Sequence, residues 1–394
     1  MQKKVGAVIG ASRDAIHSIQ TAQKNGIYVV GLDGNPNAEG LKYVDEARIV
    51  DISNVELVKK ELEAINPDFA IPIPIGRYLS TMGIVNQFLG LTGVKENAAN
   101  WSTDKYLFHQ KLHSAGLREC YAVLVAGEIE NKDSIKYPVL FKPRYGSGSR
   151  DIYYMNDKNE FDIAYGKLRE IDEDFILEQV VQGTEYSVDG AVIEGEFYLT
   201  LLRKKIITPL PARQPVSSFS IDYSDENKEL MDRVIKHIEK AVRVLEYNDC
   251  LLNADIIIND NEVFIIEMAP RPSGHNLHDV FVPYATGVDL ADEYIHFLKQ
   301  EPFCFTPKKV EKLQIRFFDF ENKHVVEIPE YEKLKEVLKE DLIYWNCNIE
   351  AGEYLNCVTN GHSIMGRGFF IIRGIDEDDL INKSSWVLEQ FNLR

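Results

Sequence analysis

The chain has 394 residues, of which 45% are hydrophobic and 27% are charged, and its formal net charge is −18. This composition is typical of a globular protein with two or three domains. The acidic excess argues against nucleic acid or a membrane surface as a partner, since both require basic protein surface. The five cysteines show no C-x-x-C spacing and no apolar run is long enough to span a bilayer, so we expect a cytoplasmic protein with reduced thiols.

The first hundred residues alternate between strand and helix patterns, which predicts a parallel sheet covered by helices. We expect strands at Val5–Ile9, Tyr28–Leu32, Ile49–Asp51 and Phe69–Ile73, and helices at Asp14–Lys24 and Val55–Ile65. An NAD-binding domain is the alternative interpretation, but the first turn lacks the G-x-G-x-x-G pattern. A domain boundary is expected near Gly93–Ser102, before a helix that carries Lys105 and ends at Gly116.

A lysine and a glycine-rich loop follow a short apolar strand in the sequence YPVLFKPRYGSGSRDIY. Lys142 ends the strand, and the loop contains Gly146, Ser147, Gly148 and Ser149. Glycines allow the backbone to approach an anion, and lysine adds a point charge for phosphate. The loop is not a Walker A motif, and a plain turn is the alternative.

The next pattern, DFILEQVVQGTEYSVDG, predicts two strands joined by a turn. The first strand enters Glu178-Gln179-Val180-Val181, and Glu185 follows the turn. Free backbone groups at a strand end can pair with the edge of adenine, and a nearby acid can accept ribose hydroxyls. A plain hairpin with solvated acids is the alternative.

The sequence NADIIINDNEVFIIEMAPR predicts a β-hairpin with one carboxylate on each arm, Asp255 and Glu267. If Asn259 pairs with Val263, the two carboxylates face each other, and a hard cation such as Mg²⁺ would remove their repulsion. The same register would place Ile256 and Ile258 opposite Ile266 and Phe264 on the buried face. Arg271 follows the hairpin as a fixed positive charge.

The remaining segments carry weaker signals. Residues Lys204–Tyr223 are rich in Pro and Ser and are expected to be irregular, whereas Glu226–Leu245 and Asp279–Leu298 are expected to be helical. Beyond Pro307 we expect strands at Leu313–Phe320, Val325–Ile328, Tyr354–Val358 and Gly368–Ile372, and a helix at Glu330–Lys339.

Together, and in this order, these motifs resemble the ATP-grasp superfamily, especially its carboxylate–amine ligases. The resemblance covers nearly the whole chain. It implies an α/β fold with an N-terminal parallel α/β domain at 1–100, an ATP-grasp nucleotide-binding region at 101–304 and a small C-terminal α+β domain at 305–394. It implies ATP and Mg²⁺ (or Mn²⁺) as cofactors, and a small-molecule carboxylate and an amine as substrates. A homodimer stays open.

The resemblance also implies roles for individual residues. Phosphates would be held by Lys105, Lys142 and the loop Gly146, Ser147, Gly148 and Ser149. Adenine and ribose would be bound by Glu178, Gln179, Val180, Val181 and Glu185. Asp255 and Glu267 would bind the metal, Arg271 would stabilise the tetrahedral intermediate, and Ser273, Gly274, His275 and Asn276 would line the substrate pocket. Ala269 departs from the family, which often has Asn there as a third metal ligand.

Other functions stay open at this point. A bicarbonate-dependent enzyme similar to biotin carboxylase or carbamoyl-phosphate synthase, or a non-catalytic ATP-binding relative, would share most of these residues. His275 and His278 could indicate zinc, although a third ligand is missing, and Ser273 beside His275 lacks the G-x-S-x-G elbow of a nucleophile.

Overall fold

The computed structural model describes residues 3–118, 122–125, 129, 132–146, 151–168, 174–209, 213–259, 262–358 and 361–394. Three of the predicted loop residues, Ser147, Gly148 and Ser149, lie outside the described residues, as do two residues of the predicted hairpin turn, Asp260 and Asn261. In the described part of the chain, helices combine with parallel and antiparallel sheets, which confirms the predicted α/β fold class.

The N-terminal elements form a parallel sheet with helices packed on it. They are β1 (Val5–Ile9), α1 (Ile16–Lys24), β2 (Tyr28–Asp33), β3 (Glu46–Ile49), α2 (Val55–Ile65), β4 (Phe69–Ala70) and α3 (Leu79–Leu89). The strand order is β3-β2-β1-β4, and the Asn54 side chain caps α2 as predicted. Strand β3 lies earlier than the predicted Ile49–Asp51. Strand β4 stops before the predicted Ile73, because Pro72 and Pro74 have no N–H to donate.

A second, antiparallel sheet with strand order β5-β8-β6-β7 lies in the following region. Its elements are α4 (Glu96–Thr103), α5 (Lys105–Ser114), β5 (Ala122–Val125), β6 (Val139–Pro143), β7 (Tyr153–Met155), α6 (Lys158–Leu168) and β8 (Phe175–Gln179). Helix α4 occupies most of the stretch in which a domain boundary was expected.

The third group of elements provides most of an eight-stranded antiparallel sheet. Its elements are β9 (Thr184–Ile193), β10 (Glu196–Ile207), β11 (Pro215–Ile221), α7 (Lys228–Val244), β12 (Cys250–Ile258), β13 (Val263–Ala269), α8 (Val282–Thr286) and α9 (Leu290–Leu298). The prediction that Lys204–Tyr223 is irregular was wrong for residues 204–207 and 215–221, which belong to β10 and β11. These strands are antiparallel neighbours, in which Leu202 pairs with Ile221 and Ile207 pairs with Pro215. The helix expected at Asp279–Leu298 is instead a π-helical turn followed by α8 and α9, which are separated at Gly287.

The C-terminal elements complete this sheet and add a small three-stranded one. They are β14 (Leu313–Phe317), β15 (Lys323–Glu327), α10 (Tyr331–Leu338), β16 (Leu342–Cys347), β17 (Tyr354–Leu355), α11 (Gly361–Met365), β18 (Gly368–Arg373), α12 (Glu377–Glu389) and β19 (Asn392–Leu393). The large sheet runs β13-β12-β9-β10-β11-β14-β18-β16, and the small one runs β17-β15-β19. The domain limits at residues 100 and 304 stay a prediction.

The main hydrophobic core covers one face of the large sheet and continues into the N-terminal sheet. Helix α7 packs there through an apolar stripe that includes Val234, Ile238 and Val242, all buried. The opposite face of β9, β10, β12 and β13 carries the charged residues Glu185, Lys205, Asp255 and Glu267 beside apolar ones such as Phe264, and we call it the polar face. None of the helices in the described part of the chain has the length and apolar character that crossing a membrane requires.

Candidate functional site

A cleft of about 1570 Å³ lies between the polar face of the large sheet and the sheet formed by β5–β8. We call it the central cleft. The predicted site residues that line it are Lys105, Lys142, Gly146, Glu178, Gln179, Val180, Val181, Glu185, Asp255 and Glu267. Residues that are far apart in sequence therefore meet in one concave site.

The register of the β12–β13 hairpin determines where the two carboxylates lie. Asp255 pairs with Glu267, as the sequence predicted, and both line the central cleft. The rest of the predicted register was wrong, because Val263 pairs with Ile258 and not with Asn259. Without a further irregularity, this shift of one residue would send one carboxylate to the opposite face.

The irregularity is a one-residue bulge at Ile266, between the pair Ile256–Ile265 and the carboxylate pair. Strict alternation from the buried Ile265 would turn Glu267 toward the core. The extra residue reverses the alternation, so Glu267 lines the cleft on the same side as Phe264. Ile256 is buried as predicted, whereas Ile266 and Phe264 line the cleft and do not form the buried face.

Asp255 is held by an ion pair that the sequence analysis missed. Lys205 Nζ lies 2.8 Å from Asp255 Oδ2 and 3.8 Å from Glu185 Oε2, and the Ser187 hydroxyl donates to Asp255 Oδ1. Burial alone would raise the pKa of Asp255, but the charge and hydrogen bond of Lys205 bring it below its ordinary value. Asp255 is therefore ionised at neutral pH.

Two opposed carboxylates fit Mg²⁺, which binds one or two protein carboxylates and completes its shell with phosphate oxygens and water. No group of three or more His, Cys, Asp or Glu side chains suitable for a metal occurs among the described residues. Such a group would be expected for a structural zinc site. Ala269 pairs with Asn253, whose side-chain amide donates to Val188 O at 3.3 Å.

Glu178 lies at the centre of a buried cluster of charged residues at the floor of the cleft. Its carboxylate is 2.5 Å from Lys142 Nζ and 3.0 Å from His109 Nε2, and it accepts a hydrogen bond from Arg118. Burial alone would raise the pKa of Glu178, but Lys142 and Arg118 hold it well below its usual range. Burial and the neighbouring Lys142 lower the pKa of His109 to about 3, so His109 is neutral.

The neutral histidine leaves this cluster with two cations and one anion. The excess positive charge lies where the sequence predicts nucleotide phosphates, and a bound anion would offset it. Glu178 itself is directed at Lys142 and Arg118, so its side chain orients cations while the backbone that follows it lines the cleft.

The first predicted phosphate lysine begins helix α5. Asp104 caps this helix by accepting from Tyr106 N and Leu107 N, and Lys105 Nζ donates to Gly146 O at 2.7 Å. Burial lowers the pKa of Lys105, and the charge of Glu267 partly opposes this effect. Lys105 therefore contacts the start of the glycine-rich loop.

The predicted adenine and ribose residues also line the central cleft. Val180 N donates to Pro138 O at 3.1 Å, so this N–H is already occupied, whereas Val181 N–H has no backbone acceptor among the described residues. Glu185 accepts a hydrogen bond from Arg213, a second cation that the sequence analysis missed. A ribose would have to share Glu185 with Arg213.

Arg271 and the segment Ser273–Asn276 are not among the residues that line the central cleft. Arg271 Nη1 donates to Pro272 O at 2.9 Å. Ser273 is buried and donates to Asp189 Oδ1 at 2.6 Å. A Cβ atom on Gly274 would lie 3.3 Å from Asp14 Oδ2, so this segment abuts the turn between β1 and α1.

The alternation of side chains along β10 could have revealed one of the missed cations. Residues 203, 205 and 207 share one face of an extended strand, and Lys205 and Ile207 both line the cleft. The Pro and Ser residues of this stretch indicated irregular structure instead, which obscured the alternation. No comparable local signal exists for Arg213, which lies outside the regular strands.

The comparisons with known proteins agree with this geometry. Residues 102–275 match the ATP-grasp domain family. The formate-dependent phosphoribosylglycinamide formyltransferase of Prochlorococcus marinus is 22% identical over 285 residues, which are 67% of this chain and 69% of that protein. The D-alanine–D-alanine ligase of Campylobacter jejuni is 25% identical over 208 residues, which are 51% of this chain and 60% of that protein.

Among solved structures, the L-amino acid ligase from Bacillus licheniformis superposes with a TM-score of 0.81 at 14% identity, covering 100% of this chain and 99% of that one. This likeness establishes the fold over the whole length. The chain spans less than two thirds of the D-alanine–D-alanine ligase and slightly more than two thirds of the formyltransferase. Residues 102–275 of this chain therefore match the ATP-grasp domain family, and the proteins to which the chain is similar include carboxylate–amine ligases.

Proposed function

We propose that this protein is an ATP-dependent ligase that activates a substrate carboxylate as an acyl phosphate and joins it to an amine. The observation that carries the proposal is the pairing of Asp255 with Glu267 on the wall of a cleft that Lys105 and Lys142 also line. Opposed carboxylates with lysines nearby are the arrangement that a metal-bound triphosphate requires.

ATP would lie along the central cleft. Its adenine would contact the backbone of Gln179–Val181, and its ribose would contact Glu185. Lys105, Lys142 and the loop that starts at Gly146 would hold the phosphates. The net positive charge around Glu178 supports this orientation, because it gives the phosphates a buried electrostatic partner.

Mg²⁺ would be held by Asp255 and Glu267, and when bound it would neutralise charge on the phosphate oxygens. Lys105 and Lys142 would offset the negative charge of the same phosphate oxygens. As the substrate carboxylate oxygen attacks the γ-phosphorus, ADP leaves with the bonding electron pair. Lys105 and Lys142 stabilise the negative charge that develops.

The second step joins the two substrates. The amine attacks the carbonyl carbon of the acyl phosphate, inorganic phosphate leaves, and the amine nitrogen loses a proton. Arg271 would stabilise the tetrahedral oxyanion, and Ser273–Asn276 would contact the substrates. Because neither segment lines the central cleft in the present conformation, this assignment requires the cleft and the segment to approach each other on substrate binding.

Release of ADP tests the proposal directly. Purified protein with ATP and Mg²⁺ should release ADP only when a suitable carboxylate and an amine are both present. Pools of amino acids and other small acids, each with and without bicarbonate, would identify the substrate class. ADP release with bicarbonate and no other acid would favour the carboxylase alternative, and ATP binding without ADP release from any pool would contradict ligase activity.

A further inference from the structure

The N-terminal wall of the central cleft carries one charged side chain. The wall is formed by Ser53, Arg77, Tyr78, Ser80, Thr81 and Asn100. These residues come from the N-terminal elements and from helix α4, whereas the proposed adenine residues follow strand β8. What they can bind is set by which of their polar groups are still available.

Three of the four hydroxyl groups of this wall already donate to protein acceptors. Ser53 Oγ donates to Asp51 Oδ1 at 2.6 Å, Ser80 Oγ donates to Arg77 O at 2.9 Å, and Thr81 Oγ1 donates to Ile52 O at 3.0 Å. Serine and threonine each have a single O–H donor. These three side chains therefore have only lone pairs to offer a substrate.

Arg77 is different, because most of its donors have no acceptor among the described residues. Its Nη2 donates to the Tyr78 hydroxyl at 3.2 Å, and its guanidinium carbon lies 5.1 Å from the centre of the Tyr78 ring. No carboxylate of the described residues lies within 4.0 Å of it. By contrast, Arg118, Lys142, Lys205 and Arg213, the other cations of the cleft apart from Lys105, are paired with Glu178, Asp255 or Glu185.

The fold also places Arg77 where open α/β sheets bind ligands. The strand order β3-β2-β1-β4 reverses direction between β1 and β4, and the chain leaving the carboxyl end of β4 leads to Arg77. Ligands bind at such switch points, because the loops from the two strands diverge and leave a crevice. The Gly274 segment approaches the same region, with Asp14 and Pro74 as its neighbours.

We propose that Arg77 and the Tyr78 hydroxyl form a subsite for an oxyanion of a substrate, separate from the carboxylate that is phosphorylated. This inference rests on the proposed ligase function. A planar guanidinium binds a carboxylate or a phosphate through two parallel hydrogen bonds, and the Tyr78 hydroxyl adds a third donor. The substrates of the enzyme thus include a molecule with a second negative group, such as the α-carboxylate of an amino acid acceptor, a dicarboxylic acid or a phosphorylated amine.

The test compares wild-type protein with Arg77→Met and Arg77→Lys, and uses Arg48→Met as a matched control. Arg48 lies on β3 of the N-terminal parallel sheet, where it pairs with Glu46 and does not line the cleft. Binding is measured by thermal shift in the presence of a non-hydrolysable ATP analogue and Mg²⁺. The probes are amino acids, dicarboxylates and sugar phosphates. Each is compared with its neutral counterpart, which is the amide for a carboxylate and the dephosphorylated sugar for a phosphate.

We expect at least one anionic probe to stabilise the wild-type protein and its neutral form to do so far less. Arg77→Met should weaken this binding on the order of tenfold to a hundredfold, as for loss of charge-assisted hydrogen bonds. Arg77→Lys should recover part of the loss, and Arg48→Met should bind as wild type does. The anionic probe that binds then shows which group the subsite recognises. The candidates are the α-carboxylate of an amino acid, the second carboxylate of a dicarboxylic acid, and a phosphate.

The shift caused by the ATP analogue alone separates this inference from the proposed function. That shift should be the same in all four proteins, because neither Arg77 nor Arg48 is among the residues assigned to the nucleotide. If the ATP analogue does not raise the melting temperature of the wild-type protein, the proposed function is contradicted. A normal ATP shift with equal binding of the anionic probe by wild type and Arg77→Met, or with no probe bound by wild type, would overturn the Arg77 subsite.

Discussion

Lys205 Nζ lies 2.8 Å from Asp255 Oδ2, so a protein cation occupies an oxygen that we assign to Mg²⁺. The ion pair keeps Asp255 ionised and keeps the two hairpin carboxylates from repelling each other without metal. A metal ion that binds Asp255 must share this oxygen with Lys205 or displace it. The structure therefore predicts that metal binding and the Lys205–Asp255 contact are coupled.

Removing either hairpin carboxylate should abolish ADP release. We expect Asp255→Asn and Glu267→Gln each to lower turnover on the order of a hundredfold or more, as for the loss of other major electrostatic stabilisers. The same variants should lower the affinity for Mn²⁺, measured by electron paramagnetic resonance with ATP present. Asp225→Asn, at an exposed position, is the control, and turnover near wild type in both hairpin variants would end the metal assignment.

Lys142 should be required for nucleotide binding. ATP with Mg²⁺ should raise the melting temperature of wild type, since it binds the folded state, whereas NAD and NADP should not. Lys142→Ala should reduce this shift, because it removes a phosphate cation and leaves Glu178 with Arg118. Lys158→Ala changes an exposed lysine of α6 and should leave the shift unchanged. A shift with NAD alone would favour a dinucleotide site.

The contact between His17 and Asp289 should make stability depend on pH. His17 Nε2 lies 2.9 Å from Asp289 Oδ2 and joins α1 to the start of α9. Burial alone would lower the pKa of His17, but the hydrogen bond and charge of Asp289 outweigh this effect and raise it above 6.5. Because the folded pKa is the higher one, the contact stabilises the protein fully below 6.5 and is lost as the pH rises through the raised pKa.

Asp289→Asn should therefore lower the melting temperature more at about pH 6 than at about pH 9. Asparagine can still cap α9, so the change removes the charge and leaves the helix start intact. The double variant with His17→Gln should lose little beyond Asp289→Asn alone. Equal destabilisation at both pH values would show that the ion pair does not contribute as described.

Gly183 should not tolerate a side chain. It has a φ of +150°, and a Cβ atom there would lie 2.6 Å from Ile258 O. Gly183→Ala should destabilise the protein by about 2 to 4 kcal/mol in urea unfolding, through strain and overlap combined. Gly195→Ala is the matched control, since Gly195 also has a positive φ but no atom within 4 Å, and it should cost about 1 kcal/mol. Equal decreases in the free energy of unfolding of the two variants would mean that small movements of neighbouring atoms relieve the overlap at Gly183.

Local patterns were sufficient for much of the fold. The alternation of apolar strands and amphipathic helices predicted the parallel sheet, and α2 has the bounds and the cap that the sequence indicated. The hairpin pattern also paired Asp255 with Glu267 correctly. These features depend on residues that are close in sequence, so periodicity and turn residues are enough to specify them.

The bulge at Ile266, the Lys205–Asp255 contact and the availability of Arg77 were decided only by the tertiary structure. A bulge adds a residue without changing the apolar pattern around it, so the sequence could not distinguish the two registers. In the sequence alone, Lys205 and Arg77 cannot be distinguished from ordinary surface cations. Which cations are paired with carboxylates depends on strands and loops far apart in sequence, and packing alone brings those together.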